Sequence, residues 1–523
     1  MAKGSVVKLN PQEAAENPPG KLMSLQALAA FAADCRQRGE RVVLCHGTYD
    51  LMHIGHIKHL QAARKLGDRL LVTLTADAFV NKGPDRPVFS DTLRGESIAA
   101  LDCVDGVAIN AAETAIEVIK ALRPQVYVKG SDYIRTQDDV TGNIRREQAA
   151  VEGVGGRTHF TQEATFSSSN LLNEHFSALD DGVRDFLRGF RLRHDGESLK
   201  LCLERLAGLE VLVLGDVIID EYHYTRPLGQ TGKGNVLAVQ YESQERFAGG
   251  AIAVANHVAG FARKVTLLGG LGGQASHEDF IRQHLRSNVQ PRFFTNDNAH
   301  TLVKRRYIGD DASKLFEVYF GGETLTSAEI ESDIRHWLDS HLEHFDAVIV
   351  PDFGNGFITP GMVESLAGGA RFLAVNTQVN SGNRGYHVIT RYPRADFVSL
   401  NEPELRMAAG NRQGDIETIA RDIADRLGAA HLAVTRGTRG VLMQERAINA
   451  SHAIPALSGR VVDRIGAGDA FLSLAGLCLC ADIPADIAAF FGSIAGAMNV
   501  QTVCNREPVD PVQFQKYLTT LLK

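Results

Sequence analysis

Residues 41–60 read RVVLCHGTYDLMHIGHIKHL, in which a short apolar strand passes through glycine and histidine into a helical pattern. His53 and His56 lie three positions apart, where the helix is expected to begin. Three interpretations compete for this pair: a metal site, a packed turn and a phosphate site. Histidines that bind zinc from a helix usually lie four positions apart with a third ligand near by, so the spacing disfavours a metal.

The phosphate interpretation follows from the position of the two histidines. The first backbone amides of a helix have no partner within the helix and, together with the helix dipole, they favour anions. The imidazoles of His53 and His56 would add donors for phosphate oxygens. On this motif alone, the alternative that both only satisfy carbonyl groups of a turn stays open. His46 and His59, in the same stretch, belong to no motif and are expected to be structural.

Length and composition limit the possible classes of protein. The chain has 523 residues, too many for one ordinary core, which predicts at least two domains. Its 44% hydrophobic and 22% charged residues are typical of a soluble α/β protein. A net charge of −7 offers no basic field for nucleic acid or an anionic membrane, so any phosphate site must be local. Seven cysteines without a CxxC motif, and no long uncharged apolar span, lead us to expect a cytoplasmic protein with reduced cysteines.

Strand and helix patterns alternate along most of the chain. One series runs from residue 41 to residue 176, and a second begins at VLVLGDVIIDEYHY, residues 211–224. Such alternation predicts right-handed βαβ crossovers and parallel sheets, and therefore an α/β fold with two doubly wound domains. The predicted divisions are an N-terminal tail and helix (1–40), a first domain (41–185), a linker helix (186–208) and a second domain (209–523).

A second candidate site lies in VVDRIGAGDAFLSLAGLCLC, residues 461–480. Gly466, Ala467 and Gly468 open an apolar helix, and such small residues leave the backbone amides bare at the positive end of the helix dipole. With Asp469 in the first turn, the pattern predicts an anion hole beside a base. The alternative is a glycine-packed helix start in which Asp469 only complements the dipole.

The neighbours of the HIGH motif extend the argument. HGTYDLMHIGHIKHLQAARKLGDRLLVTLTAD (46–77) resembles the opening of the cytidylyltransferase-like nucleotidyltransferases. Later segments keep that family's order: RPVFSDTLR (86–94), RPQVYVKGSDY (123–133) and FSSSNLL (166–172), where the family has a Ser/Thr-rich turn. The resemblance implies a Rossmann-like domain in which a phosphate oxygen of an acceptor attacks the α-phosphorus of a nucleoside triphosphate and pyrophosphate leaves.

The same resemblance implies roles for individual residues. His53, His56 and Lys129 would bind the phosphates as catalytic residues, and Arg86 would contact the acceptor. Nucleotide contacts are implied for a further set: Gly47, Thr48, Tyr49, Ser167, Ser168 and Ser169.

Motifs of the second half resemble the ribokinase (PfkB) family of sugar kinases. GAGDAF (466–471) is preceded, in the family's order, by four segments. They are GDVIID (215–220), ERFAGGAIAVANHVAG (245–260), SLNEPEL (399–405) and AVTRGTRGVLM (433–443). The likeness spans residues 211–515 and implies a ribokinase-like domain with a small β lid. TLVKRRYIGDDASKLFEVYF (301–320) resembles paired lid strands, whose basic run Lys304–Arg306 is either a phosphate contact or a solvated edge.

In the kinase half, the resemblance implies Asp469 as the catalytic base and ATP with Mg²⁺ as the phosphoryl donor, the metal being held indirectly by Glu404. The implied nucleotide-binding residues are Asn401, Glu404, Thr435, Gly437, Gly440, Gly466, Ala467 and Gly468. The implied substrate-binding residues are Asp220, Gly249, Gly250 and Asp352.

Three positions depart from the heptose-phosphate kinases that the second half otherwise resembles. Ala253 stands where the family usually has a sugar-binding Asn, Asn355 where Lys is common, and VNTQVNSGN (375–383) where DPKG is typical. All three lie on the acceptor side, so they put the identity of the sugar in doubt. In their place we expect amide side chains to read sugar hydroxyls: Asn376, Gln378 and Asn380.

A kinase that phosphorylates an anomeric hydroxyl makes a sugar 1-phosphate, and a nucleotidyltransferase consumes one. The whole chain therefore resembles the bifunctional heptose kinase and ADP-heptose synthase family, with the transferase first and the kinase second. This predicts consecutive activation of a sugar such as heptose 7-phosphate, with ATP or CTP in the first domain, a homodimer, and neither nucleic acid nor membrane as partner. The alternatives are a CTP-dependent cytidylyltransferase for a polyol phosphate fused to an independent kinase, or one half that binds nucleotide without turnover.

Overall fold

The chain folds into two compact units in the computed structural model. The structure describes residues 20–80, 87–130, 143–161, 180–232, 234–310, 313–321, 325–383, 385–459 and 461–522. In the described residues, the first unit ends at residue 161 and the second begins at residue 180. Both are α/β, which confirms the predicted fold class.

The first unit is a parallel sheet covered by helices. Its described strands are β1 (Val42–Gly47), β2 (Arg69–Thr75), β3 (Gly106–Asn110), β4 (Val126–Gly130) and β5 (Arg157–Thr161). Its described helices are α1 (Leu25–Gln37), α2 (Ile54–Arg64), α3 (Asp91–Ala99), α4 (Ile116–Leu122) and α5 (Asn143–Gly153). The strand order β3-β2-β1-β4-β5 changes direction between β1 and β4. In such a sheet, ligands bind outside the carboxyl ends of the strands that flank this switch point.

Helix α1 belongs to the core of the first unit. Leu28, Ala32 and Cys35 on one face of α1 are buried against the sheet together with Leu44 of β1. The predicted start of the first domain, residue 41, lies after this helix, because the helix's strand partners are distant in sequence and leave no local signal. Among the cysteines, all seven are free thiols, as predicted.

The second unit is larger and contains two sheets. Its described strands are β6 (Glu210–Leu214), β7 (Val217–Gln230), β8 (Leu237–Gly250), β9 (Lys264–Gly272), β10 (Val289–Asn296), β11 (Leu302–Ile308), β12 (Lys314–Phe320), β13 (Ala347–Asp352), β14 (Leu373–Thr377), β15 (Phe397–Asn401), β16 (His431–Thr435), β17 (Val441–Glu445) and β18 (Ala450–Ile454). Nine strands form the main sheet in the order β10-β9-β6-β13-β14-β15-β16-β17-β18, parallel from β10 to β16 and antiparallel thereafter. Four strands form a separate sheet in the order β12-β11-β7-β8, which is the predicted lid.

Helices cover both faces of the main sheet. They are α6 (Asp181–Arg193), α7 (Gly196–Leu206), α8 (Ala251–Ala259), α9 (Glu278–Gln283), α10 (Ala328–His341), α11 (Pro360–Gly369), α12 (Glu402–Ala409), α13 (Ile416–Leu427), α14 (Ala467–Cys480), α15 (Ala485–Asn499) and α16 (Pro511–Leu521). The most apolar segment of the sequence forms α14 and α15, which pack against each other where Gly492 meets Phe471. Within the described ranges, no helix is both long and apolar enough to cross a bilayer.

Helix α6 packs within the second unit, although the predicted boundary between the first domain (41–185) and the linker helix (186–208) falls inside it. Phe190 contacts Phe490 of α15 with ring centroids 4.3 Å apart. Arg191 donates a hydrogen bond of 2.7 Å to the carbonyl of Leu521, and His194 lies 2.8 Å from Asp486. The second unit therefore begins before the predicted linker, because the amphipathic helix buries its apolar face on the kinase-like core.

Candidate active sites

The loop after β1 carries the first candidate site to the carboxyl edge of the first sheet. Gly47 ends β1, and Tyr49 adopts a left-handed backbone conformation with φ of 50° while its ring is buried. The carboxylate of Asp50 accepts hydrogen bonds from the amides of Val88 (2.6 Å) and Phe89 (3.4 Å). The loop that contains the predicted nucleotide contacts Gly47, Thr48 and Tyr49 is thereby tied to the segment before α3.

Arg94 on α3 organises the same loop. Its side chain is 1% exposed. The guanidinium donates hydrogen bonds to the carbonyls of Thr48, Thr75 (2.8 Å) and Phe89 (3.0 Å) and pairs with Asp77 at 2.6 Å. A buried guanidinium with several acceptors fixes their relative positions, because each lost hydrogen bond would leave a desolvated group. Arg94 is the last residue of the family-like segment RPVFSDTLR, and in the structure it holds the loop of the site in place.

His53 and His56 come together at the start of α2. His53 is the N-cap residue, and its Nδ1 accepts a hydrogen bond of 3.1 Å from the amide of Gly55. The rings of His53 and His56 stack at 3.9 Å, and Tyr49 meets His56 edge-on at 5.3 Å. Because Nδ1 of His53 is an acceptor here, the neutral ring carries its proton on Nε2, which makes Nε2 a donor. The turn and phosphate interpretations are thus compatible: His53 caps the helix with one nitrogen and has donor character at the other.

Lys129 lies at the carboxyl end of β4, next to β1 across the switch point. It is 8% exposed, and its Nζ lies 3.1 Å from the carboxylate of Glu147 on α5. Glu147 also accepts hydrogen bonds from the hydroxyl of Tyr127 (2.9 Å) and the amide of Ala115 (3.0 Å). Burial opposes ionisation of Glu147, but Lys129 and these donors hold its pKa below the usual range. Glu147 is thus a part of the site that sequence reasoning missed, since it lies distant in sequence within an ordinary polar helix.

His46 and His59 are neutral side chains held by hydroxyl groups. His46 Nδ1 lies 2.9 Å from Thr73 Oγ1, and His59 Nδ1 lies 2.8 Å from Thr161 Oγ1. Burial, and then the positive charge of Lys129, lower the pKa of His46 to about 3 and that of His59 to about 4. Four predicted members of this site, Arg86 and Ser167–Ser169, lie outside the described residues.

The second unit contains a cavity of about 680 Å³ between the main sheet and the lid. One end is lined by side chains of the lid, of β14 and of the loop that follows β14, among them Asp220, Lys304, Arg306, Asn376 and Gln378. The other end is lined by the predicted nucleotide contacts Asn401, Glu404, Thr435, Gly437, Gly440, Gly466, Ala467 and Gly468. Asp469 also lines it, and the structure thereby brings Asp469 into one cavity with Asp220, which lies 249 positions earlier in the sequence.

The GAGD segment forms the bare helix start that the sequence predicted. Gly466 is the N-cap of α14, with φ of 88° and no side-chain cap. A Cβ at Gly466 would lie 2.0 Å from the side-chain oxygen of Asn505, so any other residue would collide. The first amides of α14 therefore face the cavity without a capping side chain, which suits a transferred phosphoryl group.

Asp463 anchors the segment just before this helix to the lid. It accepts hydrogen bonds from the hydroxyl of Tyr222 on β7 (2.6 Å) and from Lys314 Nζ on β12 (2.9 Å). Its carboxylate also accepts the amide of Ile465 at 3.2 Å. The position of the anion hole is thus set partly by two lid strands.

Asp469 has the environment of a general base. Burial, then the carboxylates of Asp220 and Glu404, raise the pKa of Asp469 to about 7, whereas Lys304 acts in the opposite direction. A carboxyl group tuned near neutral pH can both accept and release a proton under ordinary conditions.

Asn401 and Glu404 form a reciprocal capping box at the start of α12. The amide of Glu404 donates to the Asn401 side chain at 2.8 Å, and the amide of Asn401 donates to Glu404 at 2.9 Å. Burial raises the pKa of Glu404 to about 7 despite these hydrogen bonds. In the described residues, no three His, Cys, Asp or Glu side chains are grouped as a metal site. One carboxylate beside a phosphate site fits Mg²⁺, which is usually bound through one or two carboxylates plus substrate phosphates.

At the acceptor end, Asp220 and Arg306 form a buried ion pair, and Arg306 also lies 3.1 Å from Glu317. Gly249 lets the Asp220 carboxylate approach, since a Cβ there would lie 2.0 Å from Asp220 Oδ2. Gly250 precedes α8 and lines the same cavity.

Lys304 differs from its neighbours in the basic run. It is 4% exposed, lines the cavity and forms no ion pair with a carboxylate in the described part of the chain. Its Nζ lies 5.3 Å from the ring centre of Tyr319 and 5.9 Å from that of Phe353. A buried ammonium group that opens into a cavity is suited to an anionic ligand. The sequence left open whether this basic run contacts phosphate or forms a solvated edge. The strand register of β11 points Lys304 and Arg306 into the cavity.

Asp352 and Asn380 were predicted to contact the acceptor, but neither lines the cavity. The Asp352 carboxylate is engaged by His387 (2.7 Å), Arg391 (2.7 Å) and the hydroxyl of Tyr392 (2.8 Å). Asn380 ties the loop after β14 to the segment after β13, since its Nδ2 donates to the carbonyl of Phe353 at 2.7 Å. Their hydrogen-bonding capacity is used within the protein, and we therefore assign both structural roles. Asn376 and Gln378 do line the cavity.

Both sites combine a helix start with cations in a crevice of an α/β sheet, which is the arrangement of phosphate-transferring enzymes. The chain belongs to the pfkB family of carbohydrate kinases, whose model matches residues 209–510. The model of the cytidylyltransferase-like family matches residues 44–174. Both families implied by the sequence motifs thus have a matching model, the carbohydrate kinase family over the second unit and the cytidylyltransferase-like family over the first.

Similar proteins were found for parts of the chain. The bifunctional protein HldE of Trichlorobacter lovleyi is 44% identical over 139 residues, 26% of this chain and 27% of that protein. HldE of Citrifermentans bemidjiense is 41% identical over 162 residues, 31% of this chain and 32% of that protein. The chain thus spans only about a third or less of the length of these curated relatives. Among solved structures, ribokinase of Thermotoga maritima is 16% identical with a TM-score of 0.48, covering 60% of this chain and 99% of that one.

Proposed function

We propose that the protein activates a sugar in two steps. The second unit would phosphorylate the anomeric hydroxyl of a sugar with ATP, and the first would convert the sugar 1-phosphate and a nucleoside triphosphate into a nucleotide sugar and pyrophosphate. The observation that carries this proposal is the cavity in which Asp469 and the bare start of α14 meet the acceptor-side residues Asp220 and Lys304. The relatives' name, bifunctional protein HldE, supports the pairing of two activities.

In the proposed kinase step, Asp469 takes the proton of the acceptor hydroxyl as its oxygen attacks the γ-phosphorus, the bond from that phosphorus to the β,γ-bridging oxygen breaks, and ADP leaves. The amides at the start of α14 hold the negative charge of the transferred phosphoryl group, and Lys304 adds a positive charge from the lid side. Glu404 would hold Mg²⁺ indirectly, and the bound ion supplies neutralisation of the nucleotide phosphates. Asp220, fixed by Arg306, positions the sugar.

In the proposed transferase step, no protein nucleophile is needed. The phosphate oxygen of the sugar 1-phosphate attacks the α-phosphorus, and pyrophosphate leaves. His53 and His56 at the start of α2 would donate hydrogen bonds to the phosphate oxygens, and Lys129 would contribute positive charge although Glu147 balances part of it. The nucleotide contacts of Gly47, Thr48, Tyr49 and the Ser167–Ser169 turn belong to this proposal.

For the acceptor, we favour a phosphorylated sugar such as heptose 7-phosphate. The buried Lys304 has no carboxylate partner among the described residues, whereas Arg306 is neutralised by Asp220 and Glu317. A phosphate group on the acceptor would give this ammonium a direct ionic contact in a desolvated site, in addition to the more distant carboxylates of Asp220 and Asp216. Asn376 and Gln378 would select among hydroxyl configurations.

Product analysis tests the proposal. Purified protein is incubated with Mg²⁺, ATP or CTP, and a panel of sugars and sugar phosphates, and the products are identified by mass spectrometry. We expect a doubly phosphorylated sugar with ATP alone, followed by a nucleotide sugar and pyrophosphate. Pyrophosphate formation with CTP and a polyol phosphate, independent of any sugar 1-phosphate, would favour the uncoupled alternative. Absence of both kinds of product across the panel would refute a two-step enzyme.

His56→Ala is expected to lower pyrophosphate formation by about 10²-fold, the usual cost of one donor to a developing charge. The kinase step should keep its rate, because His56 lies in the other compact unit. Both rates are measured separately, with sugar 1-phosphate supplied to the transferase assay. His159→Ala, on β5 of the same unit, serves as a matched control and should retain activity. Equal loss in both variants would contradict the role of His56.

The proposed kinase step should depend on pH through Asp469. A base accepts a proton only when ionised, and with a pKa of about 7, Asp469 is mostly protonated below pH 7. We expect kcat/KM to rise about tenfold per pH unit below neutrality and to level off above it. Initial rates across this range provide the measurement. A profile already flat down to about pH 5 would mean that the base has an ordinary carboxyl pKa and would contradict the assignment.

We also propose that the lid mediates a homodimer. The β7–β8 hairpin exposes Leu228 (62%), Val236 (62%) and Tyr241 (56%). Strands β8 and β12 form the two edges of the lid sheet. Exposed apolar side chains beside strand edges are typical of a surface that pairs with another chain. Light scattering of the purified protein measures its mass, and the mass of a single chain at micromolar concentration would contradict the proposal.

A further inference from the structure

A second concave surface adjoins the kinase cavity and has no role in the proposed reaction. This arginine groove has a volume of about 1160 Å³ and is lined by residues of α12, of the loop that follows it and of the turn after β16. Its charged lining residues are Arg406, Arg412, Arg436, Arg439, Arg464 and Glu402. Five arginines against one glutamate give the lining a formal charge of +4.

The pairing within the groove leaves most of this charge uncompensated. Glu402 is shared by Arg406, at 2.9 Å, and by Arg439. Arg412, Arg436 and Arg464 form no ion pair within the ranges that the structure describes. In addition, Nε of Arg436 is buried without a hydrogen-bond acceptor among those residues.

The groove is distinct from the substrate cavity but continuous with it. Five residues line both, including Arg436 and Arg464, and all lie on the nucleotide side. The inner cavity of about 680 Å³ already provides the surfaces for the nucleotide and the acceptor. The groove therefore offers additional space at the phosphate end of the nucleotide. Guanidinium groups bind phosphate oxygens in a bidentate manner, and three of them suit a ligand with several phosphate groups.

We propose that the arginine groove is a second binding site, selective for a di- or triphosphate group. Two sources share this chemistry: free pyrophosphate, and the polyphosphate chain of a second nucleotide. The proposal depends on the proposed function only in that the first unit would release pyrophosphate. Binding beside the nucleotide pocket would make the activity of the kinase unit respond to the concentration of that product or of the nucleotide.

Calorimetric titration of the full-length protein with sodium pyrophosphate tests the site without turnover, so a failure of the proposed reaction does not affect the result. Arg412 is exposed and lines the groove but not the inner cavity. We expect Arg412→Glu to weaken one binding event by about tenfold or more, the usual worth of a charge-assisted hydrogen bond, and Arg412→Ala to weaken it less. Arg371→Glu, an equal charge change on an exposed loop outside the groove, should match wild type.

A second titration, in the presence of a saturating non-hydrolysable ATP analogue, distinguishes the two sources. Persistence of the Arg412-dependent event assigns the groove to free pyrophosphate. Its loss, together with a second Arg412-dependent event in a titration with the analogue itself, assigns the groove to the chain of a second nucleotide. Loss without that second event would mean that the substrate nucleotide fills the groove, and would overturn the proposal. Identical isotherms for wild type, Arg412→Glu and Arg371→Glu would overturn the proposal.

Discussion

Asp469→Asn is expected to lower the kinase kcat by about 10³-fold, within the range that a positioned general base contributes. The substitution removes the proton acceptor but keeps the size and shape of the side chain at the start of α14. Nucleotide affinity should change little, because the amides of α14, the capping box of Asn401 and the turn after β16 remain in place. The measurement combines kcat from initial rates with the dissociation constant of an ATP analogue.

Two controls make this result specific. Asp425→Asn alters an exposed carboxylate on α13 and should retain the wild-type kcat. Pyrophosphate formation from a supplied sugar 1-phosphate should also be unchanged in Asp469→Asn, since Asp469 lies in the other compact unit. A kcat within tenfold of wild type would show that Asp469 only complements the dipole of α14, the alternative that the GAGD motif left open.

The largest expected effect on stability comes from Arg94→Met. The substitution removes a buried guanidinium that holds the carbonyls of Thr48, Thr75 and Phe89 and the carboxylate of Asp77. We expect the free energy of unfolding of the first unit to fall by about 3–5 kcal/mol, as when one partner of a buried charged network is lost. Because Thr48 lies in the loop before α2, nucleotide binding by the first unit should weaken as well.

Denaturant unfolding with separate probes for the two units measures this effect. The transition of the second unit should not move in Arg94→Met, because the hydrogen bonds of Arg94 to described residues all lie within the first unit. Arg145→Met, on the exposed side of α5, is the matched control and should shift the transition by less than about 0.5 kcal/mol. A similarly small shift in Arg94→Met would mean that water replaces the guanidinium without cost.

Both helix starts were predictable because their signals are local. The HIGH and GAGD motifs place small or capping residues at the first turn of a helix, and a helix start depends on residues three or four positions apart. The strand-helix alternation likewise predicted parallel sheets, since each βαβ crossover is built from consecutive residues. The bounds were less accurate at α1 and α6, whose apolar faces are buried by partners far away in the sequence.

The roles of individual side chains could be assigned only from their contacts in the folded protein. Asp352 follows a strand end as a substrate contact would, yet His387, Arg391 and Tyr392 occupy its carboxylate. Lys304 lies in a basic run that is equally typical of a solvated edge, and only the register of the lid turns it into the cavity. Neither outcome follows from the local sequence, because the partners of Asp352 and the strands that set the register at Lys304 lie far away along the chain.

Local patterns along the chain were thus sufficient for the two α/β domains and the two helix starts, because backbone geometry over a few residues defines these, and the motifs were sufficient for the families. The balance of Lys129 against Glu147, the raised pKa of Asp469 and the uncompensated arginines beside the nucleotide pocket became visible only after folding. Charge and burial are collective properties of side chains brought together from separate segments, and no single stretch of sequence contains them.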